Sequence, residues 1–167
     1  MQTWKDGEFW LATSIIFVTI AAAIIVYLRL FNLSFFIGPF RLTHWFTWIG
    51  TLFIVIYTPI YHAAKQKYPA KLKTLLRIHV FGNLLSFMLI TAHFAQQISR
   101  PATSFPDLGT GLILYIVMPL LVLTGYLQRF RVLKSMKPQT NRFVHVTSAL
   151  TFYITIVFHI LHGLNII

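Results

Sequence analysis

The sequence predicts an all-α integral membrane protein, a bundle of about five transmembrane helices, on three observations. Hydrophobic residues make up 57% of the 167 positions and charged residues only 10%, whereas a soluble domain carries about 25% charged residues. A water-soluble fold of this composition would lack polar surface, and lipid is the alternative solvent. The apolar residues gather into five runs, each able to cross a hydrocarbon core of about 30 Å, which takes around 20 helical residues. Finally, 14 Lys+Arg against 3 Asp+Glu give a formal charge of +11, and the basic residues cluster between the apolar runs, where the positive-inside rule places them. On a soluble protein that charge would suggest nucleic acid; here the expected surroundings are a lipid bilayer, with no nucleic-acid partner. The length suits one domain over residues 1–167.

The predicted spans are residues 10–30, 43–61, 75–97, 108–127 and 143–167. The first is too long for a secretory signal, and Asp6 and Glu8 precede it where a signal would be basic. Residues 31–40 are apolar but carry Gly38-Pro39, so this stretch is expected along the outer interface. Pro39, Pro101 and Pro106 fall in connections. Pro119 falls inside the fourth span, where a kink is expected and neighbouring helices can tolerate it. Trp4, Trp10, Trp45 and Trp48 lie near the proposed boundaries, as in an aromatic belt.

Orientation follows from the basic residues. Lys65, Lys67, Lys71, Lys73 and Arg77 separate spans two and three, and Arg129, Arg131, Lys134, Lys137 and Arg142 separate spans four and five. With Lys5 they put 11 cations on one side, against Arg29, Arg41 and Arg100 on the other. The N-terminus is therefore expected in the cytoplasm and the C-terminus outside, in a prokaryotic cytoplasmic membrane.

The chain has no cysteine, which removes disulfides, iron–sulfur clusters, thiolate zinc sites and covalent haem attachment. Its seven histidines are His44, His62, His79, His93, His145, His159 and His162. His79/His93 and His145/His159 are both 14 residues apart, just under four helical turns, so each pair shares a face and is separated by about 21 Å along its helix. The third and fifth spans run in the same direction, which sets His79 level with His145 and His93 level with His159. Facing imidazoles at two levels are what two six-coordinate haem irons require from a helix bundle. A lone histidine in a helix is often only a satisfied polar contact, and His44 and His62 also read as interfacial residues. A matched pair on two parallel helices is harder to explain so, because ionisable residues inside a membrane are costly and tend to mark function.

The surroundings suit a porphyrin. Gly82, Ser86, Ser148 and Ala149 are small residues near these histidines. Arg77 and Arg142 stand beside the inner pair, and Gln96, Gln97 and Arg100 follow the outer one, as partners for haem propionates. His162 competes with His159, but its 17-residue separation from His145 turns it about 100° away, against about 40° for His159. His159 is the preferred ligand, with His162 a candidate for supporting it or a quinone site. His44 and His62 are 18 residues apart and share a face, a spacing no other helix repeats.

The segment Arg77-Ile-His79-Val-Phe-Gly82 through Ala92-His93, with Phe143-Val-His145 through Phe158-His159, resembles the paired H-x13-H helices of membrane di-haem b cytochromes. Two branches share this pattern: ferric-reductase-like transmembrane cytochromes and respiratory cytochrome b subunits. Gly82, three residues after His79, is similar to the second branch; one span between the ligand helices is similar to the first. The resemblance covers residues 75–163, the expected haem-binding core. It implies two non-covalent, bis-histidine haem b groups, with iron held by His79 and His145 at the inner site and by His93 and His159 at the outer. It departs from ferric reductases in lacking flavin and nicotinamide domains within these 167 residues, and from respiratory cytochrome b in helix number and in the quinol-site segment. The function expected is electron transfer across or within the membrane, as the cytochrome b subunit of a larger oxidoreductase or a small quinol-linked reductase. Electrons would come from a partner subunit, a soluble carrier or a quinol. The competing classes are a histidine-lined metal or proton carrier and a non-catalytic membrane anchor or assembly subunit.

Overall fold

A computed structural model describes residues 7–31, 33–105, 108–132 and 137–163. Trp4, Lys5, Asp6, Pro106, Lys134 and the end of the fifth predicted span lie outside the described residues. Five helices carry the structure: α1 (Gly7–Tyr27), α2 (Leu42–Lys67), α3 (Leu72–Ile98), α4 (Gly109–Phe130) and α5 (Pro138–Gly163). All five are long and apolar enough to cross a membrane, and the protein is an integral membrane protein. A helix suits that setting because it satisfies every internal backbone polar group within one segment.

The helix ends follow local chemistry. Helix α2 runs past the predicted end at Tyr61 to Lys67, with Lys65 and Lys67 in its last turn, where cations meet the negative end of the helix dipole. It stops at Tyr68 (φ −128°, ψ 67°) because Pro69 follows, and a residue before proline is driven out of the α region. Helix α5 starts on Pro138, a first position where the missing N–H costs nothing. Helix α4 continues through Pro119, as α2 does through Pro59. Residues 36–41, expected along an interface, fold into a two-stranded hairpin, with Phe36 opposite Arg41 and Ile37 opposite Phe40. Gly38 takes φ 61° at its turn, a conformation open to glycine at little cost. Trp45 Nε1 donates to the Ile37 carbonyl at 2.9 Å and ties the hairpin to α2.

The helices form two compact units, α1–α3 and α4–α5. In the first, α3 packs against both α1 and α2 in an up-down-up order. Gly50 permits the close approach of α2, since a Cβ there would lie 3.0 Å from the Ser86 carbonyl oxygen. Thr43 Oγ1 donates to Gln96 Oε1 (3.1 Å), and Gln96 Nε2 donates to Ser34 Oγ (3.2 Å). This chain joins the hairpin segment, α2 and α3 at one end. At the other end Arg77 pairs with Glu8. In the second unit, α4 and α5 run antiparallel around Leu114, Met118, Phe152 and Ile156, all buried. Elsewhere the helices present large apolar side chains outward, among them Phe17 (68% exposed), Ile116 (62%) and Ile154 (61%). Exposed apolar side chains in such number belong in lipid.

Candidate functional site

Helix α5 carries His145 and His159, and α4 provides a matched seat for each. His145 Nδ1 lies 2.9 Å from Thr124 Oγ1, and His159 Nδ1 lies 3.0 Å from Thr110 Oγ1. Each threonine is followed by a glycine against which the ring edge rests. A Cβ at Gly125 would stand 3.3 Å from His145 Cε1, and one at Gly111 would stand 3.1 Å from His159 Cε1. The two Thr-Gly pairs, 110–111 and 124–125, repeat the 14-residue interval of the histidines. Because α4 and α5 are antiparallel, the two intervals superpose and produce the same arrangement twice.

Thr124 Oγ1 is within hydrogen-bond reach of both the Leu120 carbonyl (2.7 Å) and His145 Nδ1. When its proton goes to the carbonyl it accepts from His145 Nδ1–H, and a neutral ring then has its lone pair on Nε2, the form in which histidine ligates a metal. Asn141 Nδ2 donates to the Thr124 carbonyl at 3.0 Å and is itself buried, which fixes the helix end beneath this seat.

In the α1–α3 unit the histidines occur as two pairs. His44 and His93 have ring centroids 5.0 Å apart, and His62 and His79 are 6.5 Å apart, both edge-on. His79 also stacks on Tyr61 at 4.4 Å and lies 3.2 Å from Asn83 Nδ2. His44 and His62 thus join the histidine set although their spacing matches no other helix. Their 18-residue interval exceeds the 14 of α3 by about one turn, roughly 6 Å, yet each ring meets a histidine of α3.

The other predicted residues are placed less simply. Arg77 is engaged by Glu8, and Arg142 is exposed at the start of α5. The space above Gly82 is taken by Phe53, whose ring atom Cζ would stand 1.9 Å from a Cβ there; α2 fills the gap expected to accept a porphyrin edge. Gln96 is committed to Thr43 and Ser34, Gln97 is half-buried, and His162 is exposed in the last turn of α5. Ser148 is buried and Ala149 half-buried. Among the described residues no group of three or more His, Cys, Asp or Glu converges as a metal-ion site. The signal that sequence reasoning missed is the repeated Thr-Gly pair, visible once α4 is compared with α5 at the same interval. No protein family, curated protein or solved structure matches the chain.

Proposed function

We propose that the protein is a membrane cytochrome holding two non-covalent haem b groups and passing electrons across or within the bilayer. The observation that carries this reading is the duplicated seat on α4, in which Thr124-Gly125 and Thr110-Gly111 hold His145 and His159 alike. Histidines that ligate a metal typically donate their other ring N–H to a fixed acceptor, which sets tautomer and orientation. These residues fit an axial-ligand role. A bound haem would supply a one-electron carrier, and the chain's part is to fix the ligands, their spacing and the local dielectric.

The histidine register in the sequence assigns His79 with His145 to one haem and His93 with His159 to the other. Arg142 would serve as a propionate partner; Arg77 would first have to leave Glu8. The charge pattern assigns the N-terminus to the cytoplasm and the C-terminus to the outside of a prokaryotic cytoplasmic membrane. In that setting the chain would act as the cytochrome b subunit of a larger oxidoreductase or as a small quinol-linked reductase. Its electron donor would be a partner subunit, a soluble carrier or a quinol, with His162 a candidate at a quinone site.

A reduced-minus-oxidised absorption spectrum of the purified protein tests the reading, together with pyridine haemochrome analysis. Two haems per chain are expected, extractable into acidified acetone because no cysteine can form a thioether. His79→Ala and His145→Ala should remove one haem, and His93→Ala and His159→Ala the other, with both retained in His162→Ala. A flat spectrum from protein expressed with ample haem would overturn the proposal; loss of the same haem from His79→Ala and His93→Ala would overturn the pairing.

A further inference from the structure

Within the α1–α3 unit, three arginines converge at the end remote from the lysine-rich turn. Arg29 follows α1, Arg41 precedes α2 and Arg100 follows α3. All three line one cavity of about 470 Å³, together with Ser34, Gln96 and Ser104. The chain has 3 acidic residues, and Glu8, the one among the described residues, is at the opposite end on Arg77. Among the described residues, therefore, no carboxylate offsets the three guanidinium groups.

Their present contacts are neutral. Arg29 has a left-handed backbone (φ 57°) and donates to the Ser99 carbonyl oxygen. That conformation closes α1, with Arg29 N–H donating to the Val26 carbonyl and Leu30 N–H to the Ile25 carbonyl, a common helix ending that turns the arginine back toward α3. The Arg41 guanidinium lies 5.4 Å from the centroid of the Phe36 ring. Arg100 Nε is buried with no hydrogen-bond partner among the described residues. Burial and the charge of Arg41 hold the Arg100 pKa below its ordinary value. Clustered cations with an unmet buried donor call for an oxyanion.

We propose that this cavity binds a phosphate group, presented by the headgroup of an anionic phospholipid or by a soluble phosphate ester. Guanidinium forks recognise phosphate oxygens through paired hydrogen bonds. A tetrahedral phosphate offers acceptors in several directions to donors arriving from three chain segments, whereas a carboxylate offers two oxygens in one plane. The helix ends place the cavity where the three spans leave the hydrocarbon, at headgroup depth. Leu30 (70% exposed), Phe31 (69%) and Phe36 (65%) lie beside it, suited to acyl chains. The site stands whether or not haem binds elsewhere.

The test is native mass spectrometry of the full chain released from nanodiscs of mixed phosphatidylglycerol and phosphatidylcholine, beside titrations of delipidated protein with inorganic phosphate and with succinate. Retained phosphatidylglycerol would identify a lipid source, and saturable inorganic phosphate a soluble one; either supports the proposal if Arg41→Gln and Arg100→Gln each weaken it at least tenfold while Lys73→Gln does not. Unchanged binding in both arginine variants, equal loss in Lys73→Gln, succinate binding as tight as phosphate, or no binding in either arm overturns it. Should a glutamine variant lose its helical signal, Arg41→Lys and Arg100→Lys carry the test. They keep the charge and lose the fork, so unchanged affinity in them also overturns the proposal.

Discussion

Thr124 shows how one hydroxyl can decide the state of a ring. With its proton on the Leu120 carbonyl, its lone pair faces His145 Nδ1, an arrangement that favours the Nδ1–H tautomer. Thr124→Val removes the acceptor while keeping the side-chain shape. If His145 ligates haem, retention of the inner haem should fall about 10- to 100-fold, with a shift in its reduction potential. Thr124→Ser should restore both. Titration of apoprotein with haem and a redox titration of the holoprotein check this; an unchanged potential in Thr124→Val would mean that the hydroxyl serves only the helix. The threonines were hard to see in the sequence because a hydroxyl in an apolar helix commonly bonds back to its own turn, as Thr13, Thr19, Thr47 and Thr151 do here. Only the facing histidine distinguishes Thr124 from these.

Between elements, the packing of α2 on α3 rests on absent side chains. Phe53 fits over Gly82, and Gly50 meets the Ser86 backbone. Gly82→Ala would place a methyl 1.9 Å from the Phe53 ring, and overpacking of this kind typically costs about 1–3 kcal/mol. Thermal unfolding in detergent should therefore show a lowered midpoint, and Phe53→Leu in the same chain should recover most of the loss. A tolerated Gly82→Ala would mean that Phe53 leaves the gap readily, which is also what a porphyrin edge entering there would require. The sequence marked Gly82 as space, but which group fills it depends on a phenylalanine from another helix. The same applies to His44 and His62: their shared face was legible from spacing, their neighbours His93 and His79 were not.

For the whole molecule, five helices able to span a membrane set a topology that a cysteine-free chain makes simple to test. Single cysteines at Lys67 and Gln139 should react with a membrane-impermeant maleimide only after the cells are opened, and one at Ser104 should react in intact cells. Labelling of all three from one side would contradict five spans, and reversed labelling would contradict the orientation. The two compact units divide the histidines between them, with His44, His62, His79 and His93 in one and His145, His159 and His162 in the other.

The sequence alone determined the number of spans, their approximate bounds and the 14-residue histidine interval, because hydropathy and helical period are properties of neighbouring residues. It also marked Pro39 and Pro101 as lying in connections, since proline acts on the backbone next to it. Tertiary structure alone decided that Thr110 and Thr124 face the α5 histidines, that Phe53 covers Gly82, and that Arg29, Arg41 and Arg100 share a cavity. Each of these joins residues far apart in the chain. Their meeting is set by how helix faces pack, and no local pattern encodes which faces those will be.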